Sequence, residues 1–153
     1  MRFTVEPLTS EHADDVAAWH YEPPYDFYDA TADPVDLAEL LDPARRHRFR
    51  AALDEASELV GFYYFVQRDA EVEIGLGLRP DITGQGLGRS FLEAGLEHAR
   101  SSWAPARFRL FVATFNERAI RLYEHAGFRR VATQTRAFPF GELEFLEMEQ
   151  DVE

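Results

Sequence analysis

The sequence predicts an α/β (α+β) fold: a mixed, mostly antiparallel central sheet of six to seven strands flanked by about four helices. Three observations lead there. Seven segments carry strand signals, as apolar residues at every second position or as short continuous apolar runs. Four others carry apolar residues at helical spacing behind capping residues. Short turns at 54–57 and 139–141 make hairpins, whereas the centre of the chain runs strand, helix, strand, helix.

Phe3 and Val5 alternate with polar neighbours as a first strand, and Ser10 is placed to cap a helix running to about Trp19. The stretch from Tyr21 to Asp29 holds two prolines among crowded aromatics and breaks any regular period, so it reads as a loop. Asp33 capping Pro34, then Leu37, Leu40 and Leu41, predicts a second helix that stops at Asp42-Pro43. Phe49 to Leu53 and the apolar run Val60 to Val66 read as a hairpin. The next strand sets Val72, Ile74, Leu76 and Leu78 on one face, and Glu71, Glu73, Gly75 and Gly77 on the other.

A glycine-rich turn then opens a long helix carrying Leu92, Leu96, Ala99 and Trp103, which closes before Pro105. Phe108, Leu110 and Val112 form a strand. Asn116 caps a helix whose Ala119, Leu122, Tyr123 and Ala126 share a face, with Gly127 as its stop. Phe128 to Phe138 and Glu142 to Glu149 make the closing pair of strands. Neither repeat nor linker interrupts the pattern, so positions 1–153 read as a single domain, a size that supports one sizeable core.

Composition narrows the function. Sixteen basic against 28 acidic residues give a net charge of −12, which speaks against nucleic acid as a partner and suits a cationic molecule such as an amine, although it also serves solubility alone. All the basic residues are arginine. The absence of cysteine removes disulfides, thiolate catalysis and cysteine metal sites. Met1 to Glu6 carry an acidic residue and no long apolar run follows, so neither a signal peptide nor a membrane span is expected, and the location reads as cytoplasmic. The five histidines show no metal-ligand spacing with carboxylates, so no metal is expected; His20 stands out only because it adjoins the aromatic loop.

The sharpest local signal is Thr83-Gly84-Gln85-Gly86-Leu87-Gly88-Arg89, between a strand and a helix. Glycines let a backbone approach a ligand, and the free amides and dipole of a helix's first turn form an anion site. A dinucleotide fingerprint counted from Gly84 needs glycine or alanine where Arg89 stands, and a triphosphate loop needs a lysine that this chain lacks. A plain tight connection also explains such a turn.

That turn, the preceding Glu73-Ile74-Gly75-Leu76-Gly77-Leu78-Arg79-Pro80 and the later Asn116-Glu117-Arg118-Ala119-Ile120-Arg121-Leu122-Tyr123-Glu124-His125-Ala126-Gly127-Phe128 together resemble the GNAT superfamily of N-acetyltransferases. The resemblance covers about positions 70 to 130, and it implies acetyl-CoA as co-substrate. It places the pyrophosphate on the amides of Gln85 to Arg89, in the turn shaped by Gly84, Gly86 and Gly88 around Leu87. It places the pantetheine arm along Leu76, Gly77 and Leu78, and the thioester where that strand splays from Phe108–Ala113. Thr83 departs from the family, which uses arginine or glutamine there, so one side-chain contact is in doubt.

Asn116 matches an asparagine that touches the cofactor arm, a role beside that of helix cap. Tyr123 matches the tyrosine that protonates the departing thiolate, and a phenol suits this because it stays protonated at neutral pH; without the resemblance it reads as core. Glu73 is the candidate base, with Glu71 as rival on the same face, and both equally suit a solvated face. The aromatic loop falls where the family builds its acceptor pocket. Tyr21, Tyr25, Phe27 and Tyr28 therefore become candidate substrate contacts by cation–π attraction, or else a packed lid. The expected activity is acetyl transfer to a primary amine by direct attack in a ternary complex. The alternative is a non-catalytic acyl-CoA sensor, and exposed C-terminal strands leave room for a homodimer.

Overall fold

The computed structural model describes residues 1–152. Seven strands, β1 (Thr4–Pro7), β2 (Phe49–Leu53), β3 (Leu59–Arg68), β4 (Glu71–Leu78), β5 (Arg107–Ala113), β6 (Arg129–Phe138) and β7 (Gly141–Asp151), lie in the order β1-β2-β3-β4-β5-β7-β6. Four α-helices, α1 (Ser10–Ala17), α2 (Pro34–Leu41), α3 (Gly88–Trp103) and α4 (Glu117–His125), and short 3-10 turns connect them. β1–β2, β2–β3, β5–β7 and β6–β7 are antiparallel and β4–β5 is parallel, which makes the sheet mixed and mostly antiparallel. Among the described residues no helix is long and apolar enough to cross a membrane. The residues group into two compact units, Met1–Tyr64 with Leu76–Gly95, and Phe65–Gly75 with Leu96 onward.

In the first unit, Leu8 just before α1, Ala13 and Val16 of α1, Leu40 of α2, and Phe49 and Ala51 of β2 form a core, with Trp19, Phe62 and Tyr64 packed against it. Burying a large apolar side chain contributes roughly 1.5–3 kcal/mol, so this cluster holds α1 and α2 on the sheet. The α1 cap differs from the expectation. Thr9, not Ser10, accepts the first-turn amide through its hydroxyl, from His12 at 3.1 Å, and the His12 ring accepts the Thr9 amide at 3.2 Å in a reciprocal capping box. Ser10 is already helical and the helix ends at Ala17, two residues short of Trp19. Asp33 and Pro34 open α2 as expected, with the Asp33 carboxylate accepting the Val35 amide at 2.9 Å. Tyr25–Tyr28 is a 3-10 turn inside the stretch read as a loop, and Ala30–Ala32 is a second one just after it.

In the second unit β5 is the axis. Phe108, Leu110 and Val112 point into the core with Met148 from β7, and Ile120 is the buried residue of α4. The residues that sequence spacing puts on one face of that helix, Ala119, Leu122, Tyr123 and Ala126, are all half-buried. The β4–β5 ladder pairs Glu71 with Arg107, Val72 with Phe108 and Glu73 with Arg109. β6 is an edge strand whose residues 129–137 are all exposed.

Candidate active site

Within the first unit, β4 ends at Leu78 and the chain turns through Arg79, the 3-10 turn Pro80–Ile82 and the glycines into α3. The turn is braced from inside. The Arg79 amide donates to Val60 O at 2.8 Å, and its guanidinium donates to Leu59 O at 3.0 Å and to both Asp81 carboxylate oxygens at 2.6 and 3.3 Å. The Asp81 carboxyl is held below its usual range by hydrogen bonding to Arg79. Thr83 Oγ1 donates to Pro80 O at 2.9 Å and Gln85 Nε2 to Asp81 O at 3.2 Å. The departure from the family at Thr83 thus has a local use: the hydroxyl ties down the turn.

Gly84 and Gly86 have φ of 75° and 76°, a left-handed conformation that side-chain-bearing residues rarely adopt. A Cβ built on Gly86 meets nothing within 4 Å, so the outer side of the turn is open. Among the described residues, no protein acceptor takes the backbone amides of Gln85 to Ser90; the first amide to find one is Phe91, which donates to Leu87 O at 3.0 Å. These unpartnered donors lie at the positive end of a sixteen-residue helix. Arg89 stands on the same turn, 59% exposed and 3.4 Å from Glu93. Together they suit a phosphate-bearing ligand.

The β4 end that leads into this turn is half-buried at Leu76, Gly77 and Leu78. A Cβ on Gly77 would come within 2.5 Å of Phe62 Cε1, so only glycine lets the Phe62 ring lie on the strand. Trp19 covers that ring with centroids 6.3 Å apart. Tyr21 Oη donates to Leu78 O at 2.6 Å, which anchors the aromatic loop to the strand. Burial, and then the negative charge of Asp29, push the Tyr21 hydroxyl well above the usual phenol range, so it remains a donor.

The structure separates the four aromatic candidates. Tyr21 is half-buried and hydrogen-bonded to β4, and Phe27 is core, at 7% exposure. Tyr25 and Tyr28 are each 39% exposed, and the Tyr28 ring lies tilted on Phe27 with centroids 4.0 Å apart. Sequence spacing did not foresee that Asp29 gathers this loop: its Oδ1 accepts the Tyr21 amide at 2.8 Å and its Oδ2 lies 2.9 Å from His20 Nδ1. The sole hint was that His20 and Asp29 flank the aromatic run.

In the second unit, Asn116 Oδ1 accepts the Ala119 amide at 3.3 Å as the cap of α4. Tyr123 is half-buried on that helix, its ring edge-on to Phe128 at 6.2 Å. The two candidate bases are engaged by cations. Arg109 clasps Glu71 through Nε at 3.1 Å and Nη2 at 3.0 Å, and this hydrogen bonding holds the Glu71 carboxyl below its usual range. Arg68 donates to Glu73 at 3.4 Å. Arg109 also donates to Glu147 and, at 2.9 Å, to Glu149, so one guanidinium organises three carboxylates. Among the described residues no group of three or more histidines and carboxylates is placed to hold a metal.

A sequence model of the acetyltransferase (GNAT) domain matches residues 2–129. Mycothiol acetyltransferase from Propionibacterium freudenreichii is 40% identical over 94 residues, which are 58% of this chain and 30% of that protein. The same enzyme from Saccharopolyspora erythraea is 34% identical over 108 residues, 69% of this chain and 35% of that protein. The chain thus spans about a third of the length of these curated relatives. Among solved structures, a chimera built on the spermidine N-acetyltransferase of Vibrio cholerae superposes with a TM-score of 0.81 at 17% identity, covering 99% of this chain and 96% of that one. A GNAT-family acetyltransferase from Bacillus anthracis superposes with a TM-score of 0.78 at 14% identity, covering 99% and 95%. At such identities the structures speak for the fold alone. The family model, however, takes in β4, the open glycine turn and α4 with its capping asparagine, and on that match the chain belongs to the GNAT acetyltransferase family.

Proposed function

We propose that the protein is an acetyl-CoA-dependent N-acetyltransferase acting on a primary amine, and that positions 1–153 work as one acetyltransferase domain. The observation that carries this reading is the braced turn with its unpartnered amides. Those of Gln85, Gly86, Leu87, Gly88 and Arg89 supply five donors for a pyrophosphate, on a turn whose shape is set by Arg79, Asp81 and Thr83. The family match supports giving the pantetheine arm to the backbone of Leu76, Gly77 and Leu78, with Asn116 as a further contact.

The reaction joins the amine nitrogen to the thioester carbonyl carbon and breaks the carbon–sulfur bond. The departing thiolate needs a proton, and Tyr123 Oη is the donor the family pattern supports, since a phenol stays protonated at neutral pH. On the acceptor side, the exposed rings of Tyr25 and Tyr28 and the acidic Glu22 and Asp26 suit a cationic amine, as does the net charge of −12. Relatives named for mycothiol and spermidine acetylation make small amines the first acceptors to screen. The exposed β6 edge supports pairing with a second copy.

Turnover of Tyr123→Phe tests the chemistry. A fall of ~100-fold in kcat with acetyl-CoA affinity unchanged is expected for a lost acid; unchanged kcat removes Tyr123 from the mechanism. Tight acetyl-CoA binding with no transfer to any amine of a broad panel would instead mark an acyl-CoA-binding module.

A further inference from the structure

An amine reaches a thioester as an ammonium, and its nitrogen has no lone pair to attack with until a proton leaves. The carboxylates on β4 are already engaged by cations: Glu71 is clasped by Arg109 and held low, and Glu73 receives Arg68. A different group in the first unit has the geometry of a base. His20 Nδ1 lies 2.9 Å from Asp29 Oδ2, and Asp29 is itself fixed, its other oxygen accepting the Tyr21 amide and its backbone amide donating to Asp26 O at 3.1 Å. A carboxylate accepts and does not donate, so Nδ1 carries a ring proton, and in the neutral ring the lone pair is then on Nε2. The Asp29 side chain is 12% exposed and the His20 ring 68% exposed, so the orienting group is sheltered while the ring stays open to an incoming molecule.

The placement ties this pair to the reaction. Tyr21, the next residue, donates through its hydroxyl to the carbonyl of Leu78, the last residue of β4. Trp19, the residue before, covers Phe62, and Phe62 lies on Gly77. His20 is therefore pinned on both sides to the strand segment assigned to the cofactor arm, with the exposed Tyr25 and Tyr28 in the same loop. A solvated surface ion pair would not require these flanking anchors.

We infer that His20, oriented by Asp29, is the catalytic base that takes the proton from the acceptor ammonium; this rests on the acetyltransferase reading. His20 Nε2 accepts one proton from the ammonium, and the freed amine attacks the carbonyl carbon. The carbon–sulfur bond then breaks, the acylated nitrogen loses its second proton, and the thiolate gains one. His20 returns its proton to water, so one proton is released per turnover. Asp29 is a positioning residue, acting only through the ring.

The test compares wild type, His20→Ala and Asp29→Asn with two acceptors: spermidine, which is protonated at neutral pH, and aniline, which is not. His20→Ala is expected to lower kcat with spermidine by ~100-fold, to lower it far less with aniline, and to recover with spermidine when free imidazole is added. Asp29→Asn is expected to lower kcat with spermidine and leave its KM nearly unchanged, because an amide in place of the carboxylate no longer fixes the tautomer. Equal losses with both acceptors and no recovery with imidazole overturn the inference, as does full activity of His20→Ala. A wild type that binds acetyl-CoA but acetylates neither these two amines nor any other of a broad panel overturns the acetyltransferase reading itself, and the base with it.

Discussion

At the scale of single residues, two positions do work that their residue types alone do not announce. Gly77 is required by packing, since a Cβ there strikes Phe62 at 2.5 Å. Gly77→Ala is expected to cost about 1–3 kcal/mol, read as a lower denaturation midpoint, because the ring must shift within a strand already held by Trp19. Tyr63 is fully buried and its hydroxyl donates to Phe91 O at 2.6 Å. Tyr63→Phe is expected to cost about 1 kcal/mol in the same measurement, from the loss of a buried hydrogen bond. The glycine turn was legible in the sequence because it is contiguous and its work is done by backbone. The Asp29 contacts were not legible: they join residues eight and nine apart through an irregular loop, where no period constrains which side chains meet. Nor was the Arg109–Glu71 contact, which depends on strand pairing that brings together residues 38 apart.

At the scale of elements, the strands were legible from alternation, since the β pleat imposes a period of two, or, at Val60–Val66, from a continuous apolar run. Helix ends were less legible. Thr9 and Ser10 are both good caps by type, and what decides between them is the reciprocal contact with His12, which only Thr9 makes. Thr9→Ala is therefore expected to destabilise the protein by about 1 kcal/mol in thermal denaturation, and Ser10→Ala by much less. The reverse order would return the cap to Ser10. The 3-10 turns Tyr25–Tyr28 and Pro43–Arg48 were not foreseen, because segments so short show no hydrophobic period.

At the scale of the whole molecule, the excess of acidic groups sets the response to pH. Glu71 and Asp151 are both held below the usual carboxyl range, chiefly by hydrogen bonds from Arg109 and from Arg107 respectively, and Asp81 is held low by Arg79. In the unfolded chain these groups bind protons more readily, so their contribution is fully present above the ordinary carboxyl pKa and is lost as pH falls through the lowered values. The thermal midpoint is expected to hold between about pH 6 and 7 and to fall below about pH 4, with the loss at acid pH smaller in Arg109→Met, a variant already less stable at neutrality. The central claim concerns the open turn at Gly84–Gly88, and calorimetric titration with acetyl-CoA, beside ATP and NAD as controls, tests it most directly. Selective binding of acetyl-CoA, abolished by Gly86→Glu through its carboxylate and its strained backbone, is the predicted result. Absence of acetyl-CoA binding, or binding untouched by Gly86→Glu, would contradict it.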